Sequence, residues 1–339
     1  MSKICKKINI FRLTDQERES IRNSLSNIVY QPDGEDDYIY KIRSLAYREL
    51  PQRLIRKLET LKENDASYCI FENIPTDQVI GSPQEDADSL DFKKGYLSEN
   101  ILVAFGSLIA EPYSIAHEGS KLVNNLIPHR EMMATYTGCG SRAELDLHIE
   151  NASQIYDTCG DTSPLALLLN GVRRDPNGLG PKTWIADSRK ALKSLNEEDI
   201  EILYGKNFII RKPYRWRANA AQPKENLLHS ILSGPILYPR VTAAFYPNMV
   251  TPVGKDAMIS YEKFYKALKQ ISVPIDIAPG ILVFINNRFT LHSRDSFTPS
   301  YDENGGAYRW IQRLFITNNL WNFRAYAKCG ARIFQPAKY

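Results

Sequence analysis

From position 121 onward, the chain breaks into short apolar runs separated by Gly, Pro and Asn, at 121–127, 132–137, 145–149, 165–172, 182–186, 208–211, 236–246, 275–277, 281–285 and 308–317. Most are too short for a core helix and about the length of a strand, and the turn residues between them mark reversals. A long series of this kind predicts a β-sandwich or a jelly roll. Helices interrupt it at 187–195, 196–203 and 261–270. The first third reads differently. Thr14-Asp15-Gln16-Glu17 is a capping box, so a helix is expected from there to about Ser26. A second helical stretch covers 37–62 and is interrupted at Pro51. A strand at 67–74, a polar loop at 76–94 and a core helix at 99–110 follow. With no repeat and no convincing linker, the expectation is one domain over 1–339: a mainly helical part at 1–113 packed on a β core at 114–339.

Within the series, Leu145-Asp146-Leu147-His148-Ile149-Glu150 alternates apolar and polar residues. On a strand His148 and Glu150 would share one face, with Leu145, Leu147 and Ile149 turned toward a core. An imidazole and a carboxylate side by side on a rigid strand are half of a facial metal site. By themselves they read first as a rim histidine and a solvated charge.

The bulk numbers narrow the field. The 339 residues are 43% hydrophobic and 24% charged, as in an ordinary globular protein. A net charge of +4 with dispersed basic residues gives no nucleic-acid footprint. The densest cluster, Arg211-Lys212-Pro213-Tyr214-Arg215-Trp216-Arg217, is short and reads as a solvated or anion-facing loop. Five scattered cysteines without a C-x-x-C pair predict free thiols in a reducing compartment. No signal peptide or membrane-spanning run is apparent, so a cytoplasmic protein is expected. The sequence sets no oligomeric state.

A second group of polar residues lies near the C-terminus. Pro279-Gly280 is a turn, 281–285 is apolar enough for a buried strand, and Asn286-Asn287 begins a bend leading to His292. On the next strand Arg309, Ile311 and Arg313 are expected to share a face. Arginines on an inward face need anionic partners, because an unpaired buried guanidinium is costly. Their forked donors suit carboxylates.

His148-x-Glu150, the distal His292 and an arginine on the following strand together resemble the iron(II)- and 2-oxoglutarate-dependent oxygenases. Their 2-His-1-carboxylate triad leaves positions open for oxygen and cosubstrate. Within that superfamily the chain is similar to the clavaminate synthase-like group, which includes hydroxylases of free arginine, asparagine and lysine. The resembling segments are 138–152, 170–187 and 279–317. The resemblance implies an α+β fold with a mainly β core, a double-stranded β-helix (a cupin-like jelly roll) with flanking N-terminal and inserted helices. It further implies Fe(II) on His148, Glu150 and His292, 2-oxoglutarate gripped by Arg309 and touched by Thr183, and O2 as oxidant. Arg313 matches the arginine that holds a substrate α-carboxylate. His117 and Glu118 fall where relatives contact the substrate amino group. The separation of Arg309 from His292 is longer than is typical, with Glu303-Asn304-Gly305-Gly306 as the apparent insertion, and Thr183 is also farther than usual from His148.

The implied reaction is hydroxylation at C3 or C4 of a free L-amino acid, with release of succinate and CO2. Lysine and arginine are candidate substrates. The 239–245 stretch carries no acid to meet a basic side chain, which leaves the loop around Glu85, Asp86 and Asp88 as a possible source. Glu150 argues against halogenation, which requires a small residue in its place. Other outcomes are desaturation or epoxidation at the same iron on a natural-product or carrier-bound amino acid. A different class is a non-oxygenase metal-binding jelly-roll protein, for which a buried Arg309 would have no use. His129 and His229 are read as loop or packing residues, and Arg294 as a lid charge, a supporting charge near the iron or simply an exposed one.

Overall fold

Ala166–Arg173, Ile281–Asn286 and Trp310–Thr317 lie side by side, antiparallel, at the centre of a nine-stranded sheet. Their near-continuous apolar sequences follow from burial on both faces. Leu168, Leu282, Phe284, Leu314 and Ile316 point to one side, into a cluster with the N-terminal helices. Leu167, Leu169, Val283, Ile285, Ile311 and Phe315 point to the other. The computed structural model describes residues 9–63, 66–83, 92–156, 160–177, 180–213, 216 and 227–336. Glu85, Asp86 and Asp88 lie outside these residues.

The helical face matches the expectation. Asp15–Leu25 is capped by Thr14, whose hydroxyl accepts from Glu17 N while the Glu17 carboxylate accepts from Thr14 N. Asp36–Glu49 and Gln52–Glu63 are separate helices, divided at Pro51. Leu97–Ile109 is buried along its whole length between these helices and the sheet. It therefore carries its own polar satisfaction. The Asn100 amide donates to Leu25 O and Ile28 O and accepts from the Tyr38 hydroxyl. The Glu99 carboxylate accepts from Lys93 and from Gln312 on the central strand.

A second sheet has four strands in the order Val273–Ile275, Thr183–Asp187, Thr290–Arg294, Leu145–His148. Lys255–Ile271 covers its outer side, through a core that contains Leu147, Ile149, Ala186, Leu291, Phe264 and Leu268. Among the described residues no helix is long and apolar enough to cross a membrane.

One expected strand is absent and another is reduced to two residues. Residues 132–137 form tight turns, with Thr135 N donating to Met132 O and Gly140 N to Thr137 O. Of 236–246 only Arg240–Val241 is a strand, and Ile236, Leu237 and Tyr238 are exposed. Pro235 and Pro239 flank that turn, and prolines do not support ladder hydrogen bonds. The Lys255–Ile271 helix also begins earlier than expected.

Asn100 joins three helices through a fully buried amide. Asn100→Leu removes the side-chain donor to Leu25 O and Ile28 O and the acceptor of the Tyr38 hydroxyl, so urea denaturation should show a loss of about 2–3 kcal/mol.

Candidate metal centre

The register of two antiparallel strands sets the site. His148 on Leu145–His148 and His292 on Thr290–Arg294 are directly paired residues, with ring centroids 4.3 Å apart. Thr183 is on the next strand over, opposite Arg294. Between His292 and Arg294 the pairing slips, so that Arg294 faces Leu145. An extra residue in one strand reverses which face follows it. Leu145, expected in the core with Leu147 and Ile149, instead lines a cavity beside Tyr246 and Met249.

Glu150 lies just past the strand end, where Asn151 (φ 53°) turns the chain in the left-handed region that Asn tolerates. Its backbone is clamped by Asn287. The Asn287 Oδ1 accepts from Glu150 N at 2.8 Å, and Nδ2 donates to Glu150 O and Pro164 O. The Asn286-Asn287 bend was legible in the sequence, but this clamp was not.

His148, Glu150 and His292 are all buried, and one ligand atom from each lies within 4.8 Å of the others. His148 Nδ1 is 2.7 Å from Asp146 O, which can only accept, so Nδ1 carries the proton and Nε2 offers its lone pair. His292 Nε2 lies 3.6 Å from Glu150 Oε1. Burial, reinforced by the neighbouring His292, pushes the His148 imidazolium down to a pKa of about 4. Burial alone would raise the Glu150 carboxyl, but Arg313 and the two histidines outweigh it and hold the acid well below its usual range. Two imidazoles and an ionised carboxylate converging on one point fit a divalent transition metal such as Fe(II).

Arg313 reaches the cluster from the opposite sheet, on Trp310–Thr317. Its Nη1 donates to Glu150 Oε1 at 2.9 Å and its Nη2 to Glu118 Oε2 at 2.8 Å. Burial would lower its pKa, but Glu150 and Glu118 more than compensate and raise it. Arg309 precedes this strand across a second register slip. It lines the same cavity as Arg313, Thr183 and Arg294. Among the described residues no carboxylate lies within ion-pair distance of Arg309. Burial, with Arg294 adding repulsion, lowers its pKa to about 9. Phe297 sits near both guanidiniums, at 5.1 Å from Arg309 and 5.2 Å from Arg294. Arg294 is itself buried and donates to Ser141 O and Ala143 O, bracing the segment before His148.

The cavity encloses about 910 Å³, its mouth included. Glu118 lines it, but His117 does not; that ring packs on Trp216 with centroids 5.4 Å apart. Neither His129 nor His229 lines it, and His229 stacks on Tyr156. Tyr246 sets its ring against the edge of His148 and stacks on Tyr136. No period or motif singled out either tyrosine.

Two histidines on paired strands and a carboxylate just past a strand end, in one cavity with an arginine that among the described residues has no ion-paired acid, define a non-haem iron dioxygenase of the 2-oxoglutarate-dependent class. The chain belongs to the taurine catabolism dioxygenase TauD, TfdA family, whose sequence profile matches residues 100–315. It is an enzyme of that class. It is 28% identical over 256 residues to an L-asparagine oxygenase of Streptomyces coelicolor, covering 74% of this chain and 68% of that protein. With an L-lysine 4-hydroxylase of Niastella koreensis it shares 24% identity over 329 residues, covering 91% and 84%. Its fold matches the crystal structure of an asparagine oxygenase in complex with Fe(II), 3-hydroxyasparagine and succinate. The TM-score is 0.83 at 20% identity, over 97% of this chain and 100% of that one.

Metal-binding histidine and carboxylate ligands depend on the partners that orient them. Asn287→Ala should weaken Fe(II) or Co(II) binding by roughly 10- to 100-fold. Anaerobic metal titration beside a thermal melt would separate that loss from unfolding.

Proposed function

We propose that this enzyme hydroxylates C3 or C4 of a free L-amino acid, consuming 2-oxoglutarate and O2 and releasing succinate and CO2. The observation that carries this reading is the pairing pattern of the two arginines. Arg313 is neutralised by Glu118 and Glu150, whereas Arg309 is buried beside the same cavity with no ion-paired carboxylate among the described residues. A buried cation in that state calls for an anion from outside the chain.

His148, Glu150 and His292 would hold Fe(II), which with 2-oxoglutarate and O2 supplies the oxidising chemistry. Arg309 would grip the far carboxylate of 2-oxoglutarate through its forked donors, with the Thr183 hydroxyl beside it. Arg313 would hold the substrate α-carboxylate and Glu118 the α-ammonium, so that the zwitterion adds no net charge to the buried cluster. Tyr136, Tyr246 and Met249 wall the cavity and keep water from the reacting carbon. The two facing sheets are read as a jelly roll and the whole chain as a single domain. The described cysteines, Cys69, Cys139 and Cys329, are free, in keeping with a cytoplasmic enzyme.

The relatives' names favour a basic or carboxamide side chain. A second reading, an uncharged side chain, is favoured by the cavity itself. Its described walls hold no carboxylate besides Glu118 and Glu150, and both of these meet Arg313.

Anaerobic addition of 2-oxoglutarate to the Fe(II) protein should give a metal-to-ligand charge-transfer band, and its absence would remove the cosubstrate assignment. His148→Ala and His292→Ala should each abolish succinate formation. Arg309→Lys keeps the charge but loses the fork, so the KM for 2-oxoglutarate should rise roughly tenfold or more with metal affinity little changed. Screening the twenty L-amino acids and their amides for substrate-dependent succinate tests the substrate class. Amides turning over as well as free acids, or an Arg313→Ala enzyme with an unaltered KM, would exclude the α-carboxylate role.

A further inference from the structure

The basic cluster at 211–217 looks like a surface loop in the sequence, yet it delivers two residues to the site. Pro213 lines the cavity, and Trp216 is 3% exposed. The Trp216 indole Nε1 donates to Glu118 Oε1 at 3.1 Å. On the other oxygen of the same carboxylate, Oε2, Arg313 Nη2 donates at 2.8 Å. A donor on each oxygen fixes the carboxylate plane. The His117 ring packs against the indole and limits its movement.

The contact joins parts of the chain that share no strand or helix. Glu118 lies in a turn after Glu111–Ile115, where Glu118 N donates to Ile115 O. A carboxylate in a turn has rotational freedom that one on a strand lacks. Arg313 alone could hold it in more than one orientation, since a guanidinium has several equivalent donors. An indole has one donor, in the ring plane, so it selects a single orientation.

We propose that Trp216 is a positioning residue that fixes Glu118 so that the enzyme discriminates for a free α-ammonium group on its substrate. This rests on the reading of Glu118 as the ammonium acceptor. The indole and Arg313 aim Glu118 through different oxygens, and a carboxylate has about four acceptor positions. Without the indole N–H, one oxygen of Glu118 loses the contact that aims it, and the ammonium loses its fixed partner. The α-carboxylate and the cosubstrate, held by other residues, are unaffected.

The test compares wild type with Trp216→Phe, which keeps the ring and removes the donor, and with Glu118→Gln. Binding to the holoenzyme with Fe(II) and 2-oxoglutarate is measured anaerobically by calorimetry for each of the twenty L-amino acids. Every amino acid that binds is then paired with its des-amino acid, such as L-lysine with 6-aminohexanoic acid. Trp216→Phe should narrow the preference for the amino acid by roughly tenfold. Affinity for the des-amino acid and for 2-oxoglutarate should stay within about twofold. Trp216→His, which retains a ring N–H, should recover part of the preference, and it carries the test if the Phe variant does not fold.

If Glu118→Gln narrows the preference and Trp216→Phe does not, the inference is overturned while the role of Glu118 stands. An unaltered preference in Glu118→Gln overturns the ammonium reading and this inference with it. So does the failure of every amino acid to bind. Equal weakening of amino acid, des-amino acid and 2-oxoglutarate in Trp216→Phe would mark a merely structural residue and also overturn the inference.

Discussion

The site depends on one register, His148 opposite His292 across two antiparallel strands. A shift of one residue in either strand would send an imidazole to the core on the outer side of the four-stranded sheet. That core resists the shift, because Leu147 and Leu291, adjacent to the two histidines, are both fully buried in it. Apolar packing on one face thus holds the metal ligands on the other. The cost of moving the ligands is the cost of exposing leucines.

The second constraint is electrostatic and comes from the facing sheet. Arg313 brings its charge between Glu118 and Glu150, so three buried ionic groups share compensating hydrogen bonds. Such groups are stable only when paired, and loss of any one would strand the others. Arg309 is the exception. It sits just before the strand against Phe297, and among the described residues no carboxylate is within ion-pair distance; Asp175 and Asp276 offset its burial only in part. A cost of this kind, carried by the rest of the fold, is typical of a binding site ready for its ligand. Of two arginines so close in sequence, Arg313 is ion-paired to two carboxylates and Arg309, among the described residues, to none.

Support for the metal ligands is spread widely. Asp146 fixes the His148 tautomer through its carbonyl, while its carboxylate accepts from Tyr265 and Lys269 on the outer helix. Asn287 clamps Glu150, and Arg294 braces the segment that leads into the His148 strand. Each link ties a ligand to an element distant in sequence, which is how a site assembled from loops and strand ends acquires rigidity.

Local chemistry was legible in the chain itself. The Thr14 capping box, the Pro51 break, the apolar runs of the central strands and the alternation at 145–150 all act within a few residues. So do the spacings that place His148 beside Glu150 and Arg309 near Arg313. Propensity and period act over that range, and there the expectations held, except that Glu150 falls just past its strand and Arg309 just before the strand on which it was expected to share a face with Arg313. They failed at 132–137 and 236–246, where apolar content suggested strands but prolines and local turn bonds prevailed. They also failed at Leu145, because a register slip depends on the partner strand and not on the residue. What the tertiary structure alone decided is which polar groups meet. Asn287 reaches Glu150, Trp216 reaches Glu118, and among the described residues Arg309 has no ion-paired acid while Arg313 has two. Those pairings span up to some two hundred residues of sequence, and they exist because two sheets close face to face and bury the groups between them, where water no longer screens or satisfies them.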